Sequence, residues 1–372
     1  MAGAQFSVYL SDCFGLRLAD ASNFISLKYS RVVNDIGTAT LVLPGDFDAS
    51  LIRVPDGRLE IWRRLPAASQ EYLDTETTWL MKKITYDRDD RGRQTIIVEA
   101  DTPLCLLKEP GRFVNYDADS VPNTVGTADN LMKAIVLDNA GVLATDSARS
   151  LFPYLTVAAS LALAPSITKK MAWRDVLKTL QEIALATTQA GTYLAFDIVA
   201  PTPDTLEFRT YIQQRCVDHR FPAGLNPVII SPDFGNMGEC SLSYDWRNEV
   251  TYAKAGGRGE GAARLTAEAD DPLRIGLSPF GLREKFVNAT LYTTTTGLAA
   301  EAQAVVRQGR PKTIFRGRIL DVPDTRYGVH WAWGDYVTVQ AFNQSFDARI
   351  EAITVTVAKG KETIDAWVRS DL

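Results

Sequence analysis

The sequence predicts a mainly β fold with α+β insertions, in which one antiparallel β module occurs twice. Three observations carry that expectation. Period-two alternation bounded by turn residues runs through the first hundred residues and returns after about residue 233. Helical periodicity is confined to the middle of the chain and to one short segment near residue 300. The order of strands and glycine turns over 57–100 is echoed over 334–368.

The elements follow in order. Residues 24–33 have β-type content, Asn34-Asp35-Ile36-Gly37 turns the chain, and 38–43 return before Pro44-Gly45-Asp46 breaks the run. Over 58–64, alternation places Leu59 and Ile61 on one face and Arg58, Glu60 and Trp62 on the other. Residues 79–86 and 94–100 form a hairpin about the charged tip Asp87-Arg88-Asp89-Asp90-Arg91-Gly92, where Gly92 supplies positive φ. The character changes after Pro103. Thr127 is the expected N-cap of a helix carrying Leu131, Met132 and Ile135, with Gly141 as its stop. The most regular helix spans 173–190, with Trp173, Val176, Leu177, Leu180, Ile183 and Ala184 on one stripe and Gly191 beyond it. The small-residue apolar stretch between these helices has no assignment. Residues 193–199 and 205–211 read as a hairpin about Pro201-Thr202-Pro203-Asp204. Strands at 239–244 and 249–255 precede a flexible glycine loop at 256–261. A helix at 298–308 turns Leu298, Ala302, Val305 and Val306 inward and ends at Gly309, with Pro311 following. Strands at 314–320, 335–341, 349–357 and 363–368 complete the chain.

The echo is specific in its order. A Gly57-led strand, a strand containing Lys83-Ile84-Thr85, a charged turn with Gly92 and a final strand occur first. A Gly334-led strand, a strand containing Ala352-Ile353-Thr354, a turn with Gly360 and a final strand follow late in the chain. Two such modules per chain, assembled about a threefold axis, would present six in a ring. Such a ring would adapt a sixfold tube to a threefold object.

Composition narrows the function. The 372 residues suffice for about two to four domains. Apolar residues make up 46% and charged residues 23%, which argues against extensive disorder. Lys plus Arg number 40 against 45 Asp plus Glu, a net charge of −5, so a dedicated double-helix binder is not expected. His219 and His330 are the two histidines, too few for a histidine-rich metal site. Cys13, Cys105, Cys216 and Cys240 form no CxxC pair and read as buried free thiols of a reducing cytoplasm. The N-terminus lacks a signal-peptide pattern, and the longest near-apolar run, 154–167, is shorter than a membrane span. The expectation is a soluble protein with no membrane span and no cofactor.

Chemical motifs are weak. Glu99 with Asp101, Asp117 with Asp119, and Asp270 with Asp271 are carboxylate pairs that a cell-wall glycosidase could use, but 45 acidic residues make close pairs unavoidable. The tip at 87–92 lacks the distal glutamate of a calcium loop, because Val98 stands at the twelfth position. Gly257-Arg258-Gly259-Glu260-Gly261 fits neither phosphate-binding spacing. Cys216 and His219 lack an evident third group. Trp331 and Trp333 are read on one strand face, where they could stack sugars in an adhesin or anchor a core or interface. No catalytic, metal or cofactor-binding residue is assigned.

The pattern resembles the tail hub proteins of long-tailed bacteriophages, the Gp37-like tail-tip family related to baseplate hubs and to gene transfer agents. The resemblance rests on 29–44 with its Asn34-Asp35-Ile36-Gly37 turn, on 58–64 and the hairpin after it, and on Ala100-Asp101-Thr102-Pro103-Leu104-Cys105-Leu106-Leu107. It rests also on 247–257, on Trp333-Gly334-Asp335-Tyr336-Val337-Thr338-Val339 and on 349–354. It implies a homotrimer with two tube-like antiparallel β-barrel or sandwich domains per chain, in a pseudo-hexameric ring around a channel. The expected division is 1–105 as the first tube-like domain, completed by part of 192–232; 106–191 as an α-containing insertion; 192–232 as hairpin and linker; and 233–372 as the second tube-like domain, with 257–312 as an inserted lobe. The implied partners are the distal tail or tail tube protein, the tape-measure protein and a tail fibre or spike, with DNA only in transit, in a virion assembled in the host cytoplasm. The expected interface residues lie on the outward faces of the ring-forming strands: Arg58, Glu60 and Trp62 in the first module, Tyr336 and Thr338 in the second.

Overall fold

The computed structural model describes residues 4–371 apart from Val54, Ala67, 116–123, Thr145, 170–172 and Leu291. The chain opens with β1 (Gln5–Ser11), β2 (Arg17–Asp20), β3 (Ser26–Val32), β4 (Thr38–Pro44), β5 (Arg58–Arg64), β6 (Tyr72–Leu73), β7 (Trp79–Arg88) and β8 (Gln94–Asp101). Alternation sets the buried face of this meander: Leu27, Tyr29 and Arg31 on β3, Ala39, Leu41 and Leu43 on β4, Ile96, Val98 and Ala100 on β8. At the tip between β7 and β8, Gly92 takes a φ of +80°. Asp89 accepts the Arg91 and Arg93 N–H groups, so its carboxylate is engaged by its own turn.

The middle of the chain carries β9 (Thr124–Thr127), α1 (Ala128–Asn139), β10 (Leu155–Val157), β11 (Ser166–Lys169), α2 (Val176–Gln189), β12 (Leu194–Thr202) and β13 (Thr205–Ile212). The unassigned stretch thus supplies β10, which adds in parallel to β13, and β11, which pairs with β9. Leu131, Met132 and Ile135 of α1, Leu180 and Ile183 of α2, and Phe196 and Phe208 of the hairpin share one core. That core runs across the expected 191/192 boundary. Helix α2 starts three residues later than expected. The Trp173 N–H donates to the Val114 carbonyl and the Val114 N–H to the Arg174 carbonyl, so this backbone is engaged before the helix starts. Asp175 then accepts the Lys178 N–H at 2.7 Å as a cap. Trp173 therefore leaves the stripe, with a φ of +63° and its side chain 62% exposed.

Next come β14 (Asp218–His219), β15 (Ile229–Ile230), β16 (Met237–Asp245), β17 (Tyr252–Gly256), β18 (Thr266–Asp270), α3 (Pro272–Ile275), β19 (Glu284–Asn288), α4 (Thr295–Gln308), β20 (Lys312–Ile319), β21 (Tyr336–Ala341), β22 (Gln344–Ala358) and β23 (Lys361–Asp371). Two compact units result. The larger comprises Met1–Thr188, Thr192–Cys240 and Gly317–Arg369, and the smaller comprises Gln189–Gly191, Ser241–Arg316 and Ser370–Leu372. In the larger unit the β-rich ends and the helical middle fall together. In the smaller unit, α4 is capped by Thr294 and buries Leu298, Ala302, Val305 and Val306 against Ala253 and Ala255 of β17.

The large sheet is ordered β16-β20-β23-β22-β3-β4-β8-β7-β5-β1-β2, with β6 on β5, β21 on β22, and β14 and β15 on β21. Within it, β3-β4-β8-β7-β5 and β16-β20-β23-β22-β21 have the same spatial order relative to the chain. Both fourth-to-fifth strand hairpins carry a bulge at the same place. The β7–β8 register shifts between Met81 and Lys83, and the β22–β23 register shifts between Ile350 and Ala352. Immediately beyond each bulge stand Lys83-Ile84-Thr85 and Ala352-Ile353-Thr354, the two strings of the echo. One residue before each bulge, Arg58 pairs with Leu80 and Tyr336 with Arg349. Register therefore matches Arg58 to Tyr336, and Gly57 to Asp335 rather than to Gly334. The second hairpin closes more tightly, through Lys359 and Gly360 at φ of +52° and +71°. The two halves join edge to edge, β22 pairing β3 from Ala352↔Val32 to Ala358↔Ser26.

Candidate interaction surfaces and the charge clusters behind them

Arg58 and Glu60 do not face outward. They are 2% and 0% exposed, because Cys13, Pro203 and the Arg17 side chain lie against them. Arg58 donates to the Pro203 carbonyl at 2.6 Å and the Cys13 carbonyl at 3.0 Å. Glu60 accepts Ser11 Oγ at 2.5 Å, Arg17 Nη2 at 2.8 Å and the half-buried Trp62 Nε1 at 3.0 Å. Thr338 is 2% exposed beneath the 218–230 segment, where its hydroxyl accepts the Phe221 N–H at 2.9 Å. Tyr336 is half-buried between the guanidiniums of Arg220 and Arg349, at 4.3 and 4.2 Å from the ring centroid. Alternation identified residues sharing a face; distant segments decided whether that face reaches solvent.

Two buried charge clusters emerge that sequence reasoning missed. In the first, Asp197 of β12 accepts Arg31 Nη2 of β3 at 2.5 Å and Arg215 Nη2 at 2.9 Å. All three are 1–7% exposed. Both guanidiniums lie near the Trp333 ring, Arg31 at 4.4 Å and Arg215 at 4.2 Å from its centroid. In the second, Asp74 accepts the Tyr29 hydroxyl and, at 3.0 Å, the Tyr327 hydroxyl. Alongside, Arg63 of β5 bridges to Glu362 of β23 at 2.8 Å and donates to the Tyr72 hydroxyl at 3.0 Å. These clusters tie the β3–β8 half, the β12 hairpin and the β20–β23 half together. A signal was present: Arg31 continues the Leu27, Tyr29 period, and an arginine on a buried face requires a carboxylate partner.

Burial raises the carboxyl pKa of Asp74 above its ordinary value. A carboxyl raised in the fold contributes stability that is fully present below its unfolded value, near 4, and is lost as pH rises through the folded value. Asn mimics the protonated form. The stability deficit of Asp74→Asn relative to the parent chain should therefore narrow as pH rises from about 4 to 7, read from urea midpoints. A deficit that widens over that range would show that the fold depends on the carboxylate.

The motifs of possible chemistry are engaged otherwise. Trp331 and Trp333 are 2% and 3% exposed and sit in the turn before β21, not together on a strand face. Their indoles donate to the carbonyls of Thr325 and Glu351, so neither is available to stack a sugar. Glu99 pairs with Lys83 at the surface, and Asp271 caps α3 while holding Arg274 at 2.8 Å. The pair Asp117 and Asp119 lies outside the described residues. Arg264 donates to the Gly256 and Gly257 carbonyls at 3.0 Å, so the glycine loop presents acceptors to a cation. The Cys216 thiol donates to the Trp333 carbonyl, and burial pushes its pKa up to about 11. A cavity of about 650 Å³ brings His219 and His330 together with Asn236, Asp324 and Thr325. His219 Nδ1 donates to the Leu225 carbonyl at 2.5 Å, and His330 Nδ1 accepts the Arg326 N–H at 2.8 Å. Among the described residues, neither imidazole hydrogen-bonds a hydroxyl or thiol, and no group of three side chains is placed to hold a metal. No described helix is long and apolar enough to cross a membrane. The smaller unit exposes Leu273, Leu277 and Phe280 at 85%, 83% and 82%, three large apolar side chains close in sequence.

Comparison with known proteins places this architecture. The fold is similar to that of a tail protein from Neisseria meningitidis MC58, at 12% identity and a TM-score of 0.54, covering 99% of this chain and 96% of that one. It is similar to the 43 kDa tail protein of prophage MuSo2 from Shewanella oneidensis, at 12% identity and 0.54, covering 97% and 98%. It is similar also to prophage tail protein gp18 from Listeria monocytogenes EGD-e, at 12% identity and 0.52, covering 98% and 94%. No curated protein matches the chain. The family model described as Siphovirus ReqiPepy6 Gp37-like protein matches residues 15–368. The chain belongs to that family of phage tail proteins, and its role is that of a structural component of the tail.

Proposed function

We propose that the chain is the hub subunit of a phage tail tip or baseplate. Three copies form a pseudo-hexameric ring that joins the sixfold tail tube to threefold tip components and leaves a channel for the tape-measure protein and DNA. The observation that carries the reading is the doubled β module, with its shared strand order and its bulge at the same place in both copies. Partners above and below are the distal tail or tube protein and a fibre or spike, and the exposed apolar side chains of Leu273, Leu277 and Phe280 suit one such contact. The half-buried Trp62 and Tyr336 remain the sequence-expected residues within reach of a neighbour. A net charge of −5 suits a channel through which DNA slides without being gripped. Native mass spectrometry of the full chain should give a species of three chains, and averaged particle images should show six similar lobes around an opening. A strictly monomeric chain overturns the reading.

A further inference from the structure

The joint between β22 and β3 unites the fourth strand of the second module, in chain order, with the first strand of the first module. The same two kinds of edge occur once more, without a neighbour. β7, the fourth strand of the first module, pairs with β8 along its length but with β5 only at Trp79 and Leu80. Among the described residues, the other edge of 83–88 is therefore unpaired. Among the described residues, β16, the first strand of the second module, has β20 as its single strand neighbour. An open edge of unpaired N–H and C=O groups is a template for another strand.

We propose that residues 83–88 of one copy pair antiparallel with β16 of the next copy, repeating between chains the β22–β3 joint made within each chain. The inference rests on the ring reading and identifies its seam. A second copy is the occupant because the chain already builds this joint from the same two strand types. The bulge at Met81/Lys83 precedes the open edge as the bulge at Ile350/Ala352 precedes the β3 joint. The antiparallel sense also brings Lys82 and Lys83, paired within the chain to Asp56 and Glu99, toward the end of β16 where Asp245 holds Arg247. Surface charges of this kind orient an encounter more than they strengthen it. Each chain carries one edge of each kind, so the contact is head to tail and closes as a ring rather than as a twofold dimer.

The test uses the full chain. Thr85→Pro and Tyr86→Pro alter β7, and Ser241→Pro and Leu242→Pro alter β16. Consecutive N–H groups point to opposite edges, so one member of each pair removes only an open-edge donor. Circular dichroism and thermal melting identify the member that keeps the parent fold. Each folded variant alone should be monomeric, and a β7 variant mixed with a β16 variant should form a heterodimer and nothing larger. On assembly of the parent chain, amide exchange within 83–88 and 238–244 should slow by about tenfold or more. Folded variants that still form the parent ring overturn the seam and leave the ring reading intact. A mixture that stays monomeric overturns the pairing of these two edges. A parent chain that is monomeric at every concentration overturns the ring reading, and the seam with it.

Discussion

Asp197→Ala should cost the larger unit about 3–5 kcal/mol, the range for removing one partner of a buried ion pair. The loss should be read from the shift in denaturant midpoint at constant slope. Asp197 accepts two guanidiniums that have almost no access to water, and Arg31 Nε and Nη1 already lack a hydrogen-bond partner. Without the carboxylate, two like charges share a low-dielectric site. The exposed Glu76, 3.4 Å from Arg215, is too solvated to replace it. Replacing all three members by apolar residues of similar size should recover much of the loss, because the penalty lies in the uncompensated charge. A loss below about 1 kcal/mol for Asp197→Ala, within the range of an exposed pair, would contradict this account.

Trp333→Ala should be comparably damaging, at about 3–5 kcal/mol, the usual range for truncating a buried tryptophan. The substitution opens a cavity between β3 and the turn before β21. It also removes the ring that both Arg31 and Arg215 approach and the indole bond to the Glu351 carbonyl. Trp333→Phe should retain more than half of the stability lost by alanine, since it keeps a ring face but not the donor. The double variant with Asp197→Ala should lose less than the sum of the singles, because both act on the same guanidiniums. Full additivity would show that the indole and the carboxylate work independently.

The legible parts of the molecule were those decided by neighbours in sequence. Helix α4 buries Leu298, Ala302, Val305 and Val306 as its period indicates, since its cap and stop residues are local. The strings Lys83-Ile84-Thr85 and Ala352-Ile353-Thr354 occupy equivalent register positions because the hairpins around them are local. The start of α2 was not legible, because Val114, about sixty residues upstream, holds Trp173 and Arg174 outside the helix. The outward reading of Arg58 and Glu60 failed for the same reason: Cys13, Pro203 and Arg17 cover them from afar. Asp197 was half legible. A lone carboxylate within the run Leu194-Ala195-Phe196-Asp197-Ile198-Val199 announces a buried partner, but nothing local says that it is Arg31 or Arg215.

The joint between β22 and β3 is made by two stretches of one polypeptide, so its formation is unimolecular. Its ends meet at an effective concentration of the order of millimolar, whatever the dilution outside. Such a joint can form with little intrinsic affinity and does not vanish as protein becomes scarce. An otherwise identical seam between separate molecules obeys mass action and forms only where copies accumulate. Covalent linkage thus sorts geometrically alike contacts into one kind that is always present and another that registers how much protein has been made.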